Sequence, residues 1–438
     1  IDVRFMLPSC VPATPMDESG ANLDYRAIDS FYDYPRVQGL AEMMNSYGVI
    51  HNDAEVVSKI VASQAHHKKI DGHAPGLQGK DLDTYVAAGV YSDHECATME
   101  DALAKLQRGQ FIMIREGTAA RNLEALAPLL TPQYAERCMF CTDDKHPSDL
   151  LEKGHIDYIA REAINKYGVD PIIAVKAACH HASRYFLLNN RGAIAPGYLA
   201  DFAVIDNFKD FNVEMVFKKG VLYWNNGELR DFEAPKIEEY LDKRAHDTFH
   251  VSTLTPDDFR DTRQRGVLGM VPGEIITTDN GYADHVDLEK DILKIAVVER
   301  HKGTHHIGLG YIQGYGLRSG AVATSISHDS HNIIVVGTNS ADMAFAANYI
   351  VEHHGGIVVA ENGVVKGSVV LEIAGIMSDR PLTEVNDQLE AAKDAAFTLG
   401  VSRGIDPFMT LSFMALPVIP KLRITTRGVI DVETQQYV

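Results

Sequence analysis

Basic residues are in short supply. The 438-residue chain carries 41 Lys and Arg against 60 Asp and Glu, a formal net charge of −19 at pH 7. A surface of that sign repels phosphate backbones, and no run of Lys or Arg makes a local basic patch, so no nucleic-acid partner is expected. Long apolar runs are missing as well. Runs such as Ile333 to Val336 fall far short of the ~20 residues that cross a bilayer, so no membrane partner is expected. Cysteine is scarce and odd in number: five residues, Cys10, Cys96, Cys138, Cys141 and Cys179. With no secretory signal, that pattern predicts reduced thiols and a cytoplasmic protein. A start methionine and a targeting peptide are also lacking. Ile1 to Leu7 already reads as a buried strand ending in a Pro-Ser-Cys turn, so the chain is expected to have been cut inside a core.

What is present is the composition of a globular protein, 45% apolar and 23% charged, long enough for two or three domains. The 19 histidines are many, but the doublets His66-His67, His180-His181, His305-His306 and His353-His354 have no ligand spacing. They read as helix or loop surface.

The first half alternates short apolar runs with amphipathic stretches at a step of ~20–30 residues, the rhythm of βαβ units. The runs are Val3–Leu7, Val37–Leu40, Lys69–Ile70, Gly89–Tyr91, Phe111–Ile114 and Cys138–Cys141. Between them, Asp53–His66 is predicted as a helix with Val56, Val57, Ile60 and Val61 on one face. Thr98–Leu106 opens with a Thr cap and Asp101 three residues on, close to a capping box. Ile156–Tyr167 and Pro171–Leu187 are predicted helices. Six strand–helix units in series predict an α/β fold, a TIM-type (β/α)₈ barrel whose first two strands are missing, over residues 1–191. From Gly192 the pattern changes. Phe202–Asp206, Met215–Lys219 and Gly220–Tyr223 read as short antiparallel strands of a small β-sandwich, over 192–238. Residues 239–438 read as a C-terminal α+β domain, with strands at Ile292–Val298 and Ile333–Val336 and helices at Ser340–His354 and Leu382–Leu399. Ile357–Val359 and Ser368–Leu371 flank a Glu361-Asn362-Gly363 hairpin turn.

Active sites of βα barrels are built at the C-terminal ends of the strands. Four strand ends here carry potential metal ligands: Glu42 in Gly39-Leu-Ala-Glu-Met-Met-Asn45, His73 in Asp71-Gly-His-Ala-Pro-Gly76, His94 in Ser92-Asp-His-Glu95, and Asp143 in Cys141-Thr-Asp-Asp144. Nitrogen and oxygen donors of this kind hold a first-row divalent cation and lower the pKa of its water. A carboxylate such as Glu42 can bridge two metals, and a terminal Asp can both bind metal and accept a proton. Cys138-Met-Phe-Cys141 is formally C-x-x-C, but positions three apart on a strand face opposite sides, so it reads as buried thiols. The H-x-E with P-C-x-x-C signature of cytidine-type deaminases does not occur.

These segments resemble the adenine deaminases of the amidohydrolase superfamily. The resemblance rests on Phe5-Met-Leu-Pro-Ser-Cys-Val-Pro-Ala-Thr14, the four segments just named, Met113-Ile-Arg-Glu-Gly117 and Thr142-Asp-Asp-Lys-His-Pro147. Gly192-Ala-Ile-Ala-Pro-Gly-Tyr198, Ser327-His-Asp-Ser-His-Asn332 and Leu411–Pro420 extend it over essentially the whole chain. It implies hydrolytic deamination of adenine to hypoxanthine and ammonia by a metal-activated hydroxide, in purine salvage. It implies Glu42 as bridging carboxylate, His73 and His94 as imidazole ligands, and Asp143 as ligand and proton shuttle. The implied metal is a binuclear Mn²⁺ or Fe²⁺ centre, with Zn²⁺ also compatible, in a homo-oligomer; no organic cofactor is implied. Arg115, Glu95 and His331 are candidate substrate contacts, and Glu116 is a second candidate catalytic group that protonates a ring nitrogen. Arg115 and Glu116 read equally well as a salt-bridged pair at a barrel rim. His328, Asp329 and His331 read either as a cap over the barrel mouth or as a solvated turn.

The family's first-strand His-x-His pair has no counterpart here. On that reading half of one metal site is absent and the chain by itself is expected to be inactive. Two rivals stand beside the leading reading: another amidohydrolase cleaving a cyclic amide, which would release no ammonia from adenine, and a scaffold without catalysis.

Overall fold

The six apolar runs of the first half become six parallel strands. The computed structural model describes residues 2–118, 120–261, 263–271 and 274–438. In it β1 (Phe5–Leu7), β2 (Val37–Met43) and β3 (Lys69–Gly72) form one parallel sheet, and β4 (Ser92–Asp93), β5 (Phe111–Arg115) and β6 (Cys138–Cys141) form another, both in chain order. Tyr91 joins the two. Its N–H donates to the Ile70 carbonyl at 2.9 Å and its carbonyl accepts from Phe111 N–H at 2.8 Å. The fourth strand was expected at Gly89–Tyr91 and lies one step later, because Gly89 (φ 97°) is spent in the left-handed turn that ends the preceding helix.

The intervening helices form where caps and apolar spacing agree. Ala54–Ala65 starts at Asp53, whose carboxylate accepts from the N–H groups of Glu55 and Val56. Val56 and Ile60 are buried, but Val61 is 54% exposed. Five residues beyond Val56 it has turned well round toward solvent, so the expected four-residue face is narrower than proposed. Met99–Gln107 starts at Thr98, whose hydroxyl accepts from Asp101 N–H. The capping box is only half formed, because the Asp101 carboxylate binds Lys105 instead. Pro171–Val175 continues through a π-turn (Lys176–His180) into His181–Tyr185. A four-stranded antiparallel meander follows, from Phe202–Ile205 through Val213–Lys218 and Val221–Asn225 to Glu228–Leu229. All five cysteines are free.

The chain divides into two compact units, and the division is not purely sequential. One unit comprises the chain up to Ser9 and from Asp24 to Pro235; the other joins Cys10–Leu23 to Lys236–Val438. The second unit is built on an eight-stranded mixed sheet. Its order is Thr277–Ala283, Arg265–Met270, Ile307–Gln313, Ile292–Val298, Ile333–Gly337, Ala321–Thr324, Gly356–Glu361, Val364–Val370. Its central strands carry the core (Ala296, Val298, Val335, Val358), against which helix Ser340–Glu352 lays Met343 and Ala347. The Asn362-Gly363 hairpin takes positive φ at both residues (53° and 69°), as a type I′ turn requires. Ile307–Gln313 has weak apolar patterning because Gly308 sits where a Cβ would come within 1.9 Å of the Thr425 carbonyl. No described helix is long and apolar enough to cross a membrane.

Candidate metal centre

The C-terminal ends of the parallel strands bring six of the candidate residues together. Glu42 Oε2 lies 3.3 Å from His73 Nδ1 and 3.1 Å from His94 Nε2. Glu95 Oε1 lies on the other side, 3.3 Å from His73 Nδ1 and 3.1 Å from His94 Nε2. Asp143 Oδ2 is 3.8 Å from His94 Nε2. Two ligand-like triads result, Glu42–His73–His94 and His94–Glu95–Asp143, each with its donor atoms within 4.8 Å of one another. Arg115, the last residue of β5, closes the cluster. Its Nη1 lies 2.6 Å from both Glu95 Oε1 and Asp143 Oδ2, and its Nη2 lies 2.7 Å from Glu95 Oε2.

Local backbone explains why each side chain is there. Gly72 precedes His73 because a Cβ at that position would lie 2.1 Å from the Ser92 carbonyl of the neighbouring strand. Asp143 adopts φ 55°, a left-handed conformation that Asp tolerates better than most side chains. Buried polar side chains then tie the ligand-bearing turns to one another. The Tyr85 hydroxyl donates to the Met43 carbonyl at 2.8 Å and accepts from His73 N–H at 2.9 Å. Lys105 Nζ donates to the Ala74 carbonyl and to Asp93. Asn122 accepts from Arg115 Nε at 3.3 Å and donates to the Cys96 carbonyl at 2.5 Å.

Burial works against charge on Glu42, Glu95, His73 and His94, and mutual pairing outweighs it. Glu42 and Glu95 resist ionisation through burial, yet the imidazoles beside them hold both well below the usual carboxylate range. Burial pushes His73 down, and the carboxylates of Glu42 and Glu95 more than reverse this, raising it to about 9; His94 is raised well above its ordinary value by the same two groups. Neither ring nitrogen of His73 makes a hydrogen bond of good geometry, although both are buried. The carboxylates 3.3 Å from Nδ1 are close enough to attract charge but misaligned for donation. A buried imidazole without a hydrogen-bond partner, facing two carboxylates, is a donor set that fits a divalent cation.

Of the remaining candidates, Glu116 is not in the cluster. It follows Arg115 on a strand, so it faces the other way, and its main chain bridges to Arg121. Arg115 is therefore salt-bridged to Glu95 and Asp143 rather than to Glu116. His331 belongs to the second unit. Its backbone N–H donates to the Ser327 carbonyl at 2.6 Å, and burial, reinforced by His328, lowers its pKa to about 4. His328 stacks on Phe413 with ring centroids 4.6 Å apart, and Ser327, Ser330 and Asn332 are buried, so the loop is a packed cluster and not a solvated turn. Tyr85, Asp93, Lys105 and Asn122 were not singled out from the sequence. The one legible signal was the spacing of Asp101 and Lys105 at i and i+4 on a helix.

The cluster has donors that could hold a metal ion, and a model of the amidohydrolase family, a class of metal-dependent hydrolases, matches residues 1–223. A model of the adenine deaminase C-terminal domain matches residues 274–436. Over 451 aligned residues the chain is 45% identical to an adenine deaminase of Nitratidesulfovibrio vulgaris (strain DP4), covering 100% of this chain and 77% of that one. It is 44% identical to an adenine deaminase of Desulfatibacillum aliphaticivorans, covering 100% of this chain and 78% of that one. A solved β-aspartyl dipeptidase of Fervidobacterium islandicum AW-1 overlays loosely, with TM-score 0.37 and 17% identity over 48% of this chain and 62% of that one. The chain belongs to the adenine deaminase family of amidohydrolases.

Proposed function

We propose that this protein deaminates adenine by hydrolysis, giving hypoxanthine and ammonia. The observation that carries the reading is the convergence of Glu42, His73 and His94 with Glu95, Arg115 and Asp143 at one end of a row of parallel strands, in a member of this family. On the same reading residues 1–191 are strands three to eight of a (β/α)₈ barrel, 192–238 are strands of a small β-sandwich, and 239–438 are a C-terminal α+β domain.

Glu42, His73 and His94 would hold a divalent cation, three protein ligands being the usual complement of a catalytic site. Asp143 and Glu95 offer an alternative pair of carboxylates around the same His94 Nε2, whose single lone pair can serve one cation at a time. Nitrogen and carboxylate donors suit Mn²⁺ and Fe²⁺, and also Zn²⁺. When bound, the cation lowers the pKa of water and polarises the bond under attack. The residues of the chain do the rest. Asp143, one-third exposed at the rim, takes a proton from the attacking water as its oxygen bonds to C6. It returns that proton to the exocyclic nitrogen as the C–N bond breaks and ammonia leaves. Arg115 holds Asp143 and Glu95 in place through the hydrogen bonds its guanidinium donates to both. Glu95, held on two sides by His73 and His94, is placed to orient the purine edge that reaches it.

The test is an assay of the purified protein with adenine and Mn²⁺, following hypoxanthine by absorbance and ammonia separately, before and after chelation. Equimolar hypoxanthine and ammonia, lost on chelation and restored by Mn²⁺, are expected, in place of the inactivity expected from the lack of a His-x-His counterpart, because Glu42, His73 and His94 by themselves offer three donors to one cation. Cyclic-amide cleavage without ammonia release from adenine would assign the protein to a different amidohydrolase reaction.

A further inference from the structure

Lys105 is a charged residue with no surface. Its side chain is 0% exposed, as is that of Asp93, its partner at 2.9 Å. The ammonium has three protons and three acceptors: the Ala74 carbonyl at 2.8 Å, Asp93 Oδ2 at 2.9 Å and Asp101 Oδ2 at 3.0 Å. Asp93 is as fully engaged. Its Oδ1 accepts from Ala74 N–H at 2.8 Å, and its Oδ2 accepts from Glu95 N–H at 3.0 Å and Cys96 Sγ at 3.2 Å. The backbone held by this pair is specific. Ala74 directly follows His73, and both its N–H and its carbonyl are taken. Glu95 directly follows His94. One buried ion pair therefore grips the turns that carry the two imidazoles, whose ring centroids stand 5.6 Å apart.

A buried ion pair is a poor way to gain stability, since apolar residues of equal volume often do as well or better. Its worth lies in direction: charged hydrogen bonds are short and fix the backbone atoms they reach. A cation site tolerates ligand errors of only ~0.2 Å. We infer that the Asp93–Lys105 pair is a positioning device that sets the spacing of His73 and His94 for a single cation. The inference rests on the metal reading above and adds two residues to it.

Cobalt(II) is the probe, because its visible absorption reports ligand geometry as well as occupancy. Lys105→Met in the full chain should weaken Co²⁺ binding ~10–100-fold, the usual effect of losing an outer partner of metal ligands, and should change the shape of the absorption bands. Because that variant strands a buried carboxylate, the double variant Asp93→Asn/Lys105→Met is measured too. With both charges gone its melting temperature should recover toward wild type while Co²⁺ affinity stays low. Leu103→Ala, on the same helix, serves as the control: it should lower the melting temperature and leave Co²⁺ affinity and spectrum unchanged. A double variant that binds Co²⁺ as tightly as wild type would overturn the proposal. So would a Leu103→Ala variant that loses affinity in step with its stability, or a failure of both Lys105 variants to fold, which would assign the pair to the fold alone. Wild-type protein that binds no Co²⁺ would instead remove the metal reading beneath it.

Discussion

Arg115 and Glu95 meet through two parallel hydrogen bonds, Nη1 to Oε1 at 2.6 Å and Nη2 to Oε2 at 2.7 Å, with Nη1 also 2.6 Å from Asp143. Burial opposes the guanidinium charge, and the two carboxylates reverse the effect and raise its pKa further. The planar fork is what allows one cation to serve two acids, and a lysine has no such fork. Arg115→Lys is expected to keep the fold and lose adenine turnover by ~10²-fold or more, the scale of a displaced catalytic group. Arg115→Met, which takes the bidentate partner from buried Glu95 and leaves it only His73 and His94, is expected to cost up to ~3 kcal/mol of stability as well. Denaturant unfolding beside steady-state turnover separates the two. Near-normal turnover in the lysine variant would show that the fork is not needed.

Asp143 is expected to matter for chemistry and little for folding. Asn accepts the left-handed conformation at φ 55° as readily as Asp does, so Asp143→Asn should keep its melting temperature. Without a group to carry the proton, turnover should fall ~10²–10⁴-fold. A variant that still turns over adenine normally would move the proton transfer to Asp144.

Asp17 gives a pH dependence to the second unit. It is 8% exposed and accepts from the Ser330 hydroxyl and from Glu18 N–H. Burial raises its pKa from 3.8 to about 6; the charges of Glu18 and Asp329 add to this, and the bonds from Ser330 and Glu18 N–H oppose it. The folded state thus holds the proton more tightly than the unfolded state. Its contribution is most favourable below about pH 4, is lost as pH rises through about 6, and stays lost above, for about 3 kcal/mol in all. Asp17→Asn removes the titration. It should be more stable than wild type at about pH 8 by up to that amount and roughly equal to it at about pH 4. Urea unfolding at the two pH values checks this, and an equal gap at both would show that Asp17 is not the titrating group.

By itself the sequence determined the rhythm of six strands and the identity of the residues at their ends. Alternation within short apolar runs and the turn residues that stop them are local properties. Glu42, His73, His94, Glu95 and Asp143 were therefore legible as strand-end groups before any strand had a neighbour. The family was legible too, because Ser92-Asp-His-Glu95 and its companion segments are contiguous. What only the tertiary structure decided is which polar residues leave water. Lys105 in Met99–Gln107 reads as the solvated side of an amphipathic helix. It is buried because Asp93, Asp101 and the Ala74 carbonyl, from three separate segments, supply an acceptor for each of its protons. Tyr85 and Asn122 are buried for the same reason, with partners 42 and 26 positions away in the chain. Likewise nothing local shows that residues 10–23 cluster with the second unit. That follows from Asn332 donating to the Glu18 carbonyl and from Ser330 bonding to Asp17, pairings more than 300 residues apart that no periodicity can encode. A desolvated polar group is stable only where partners meet it, and those meeting points exist only in the folded chain.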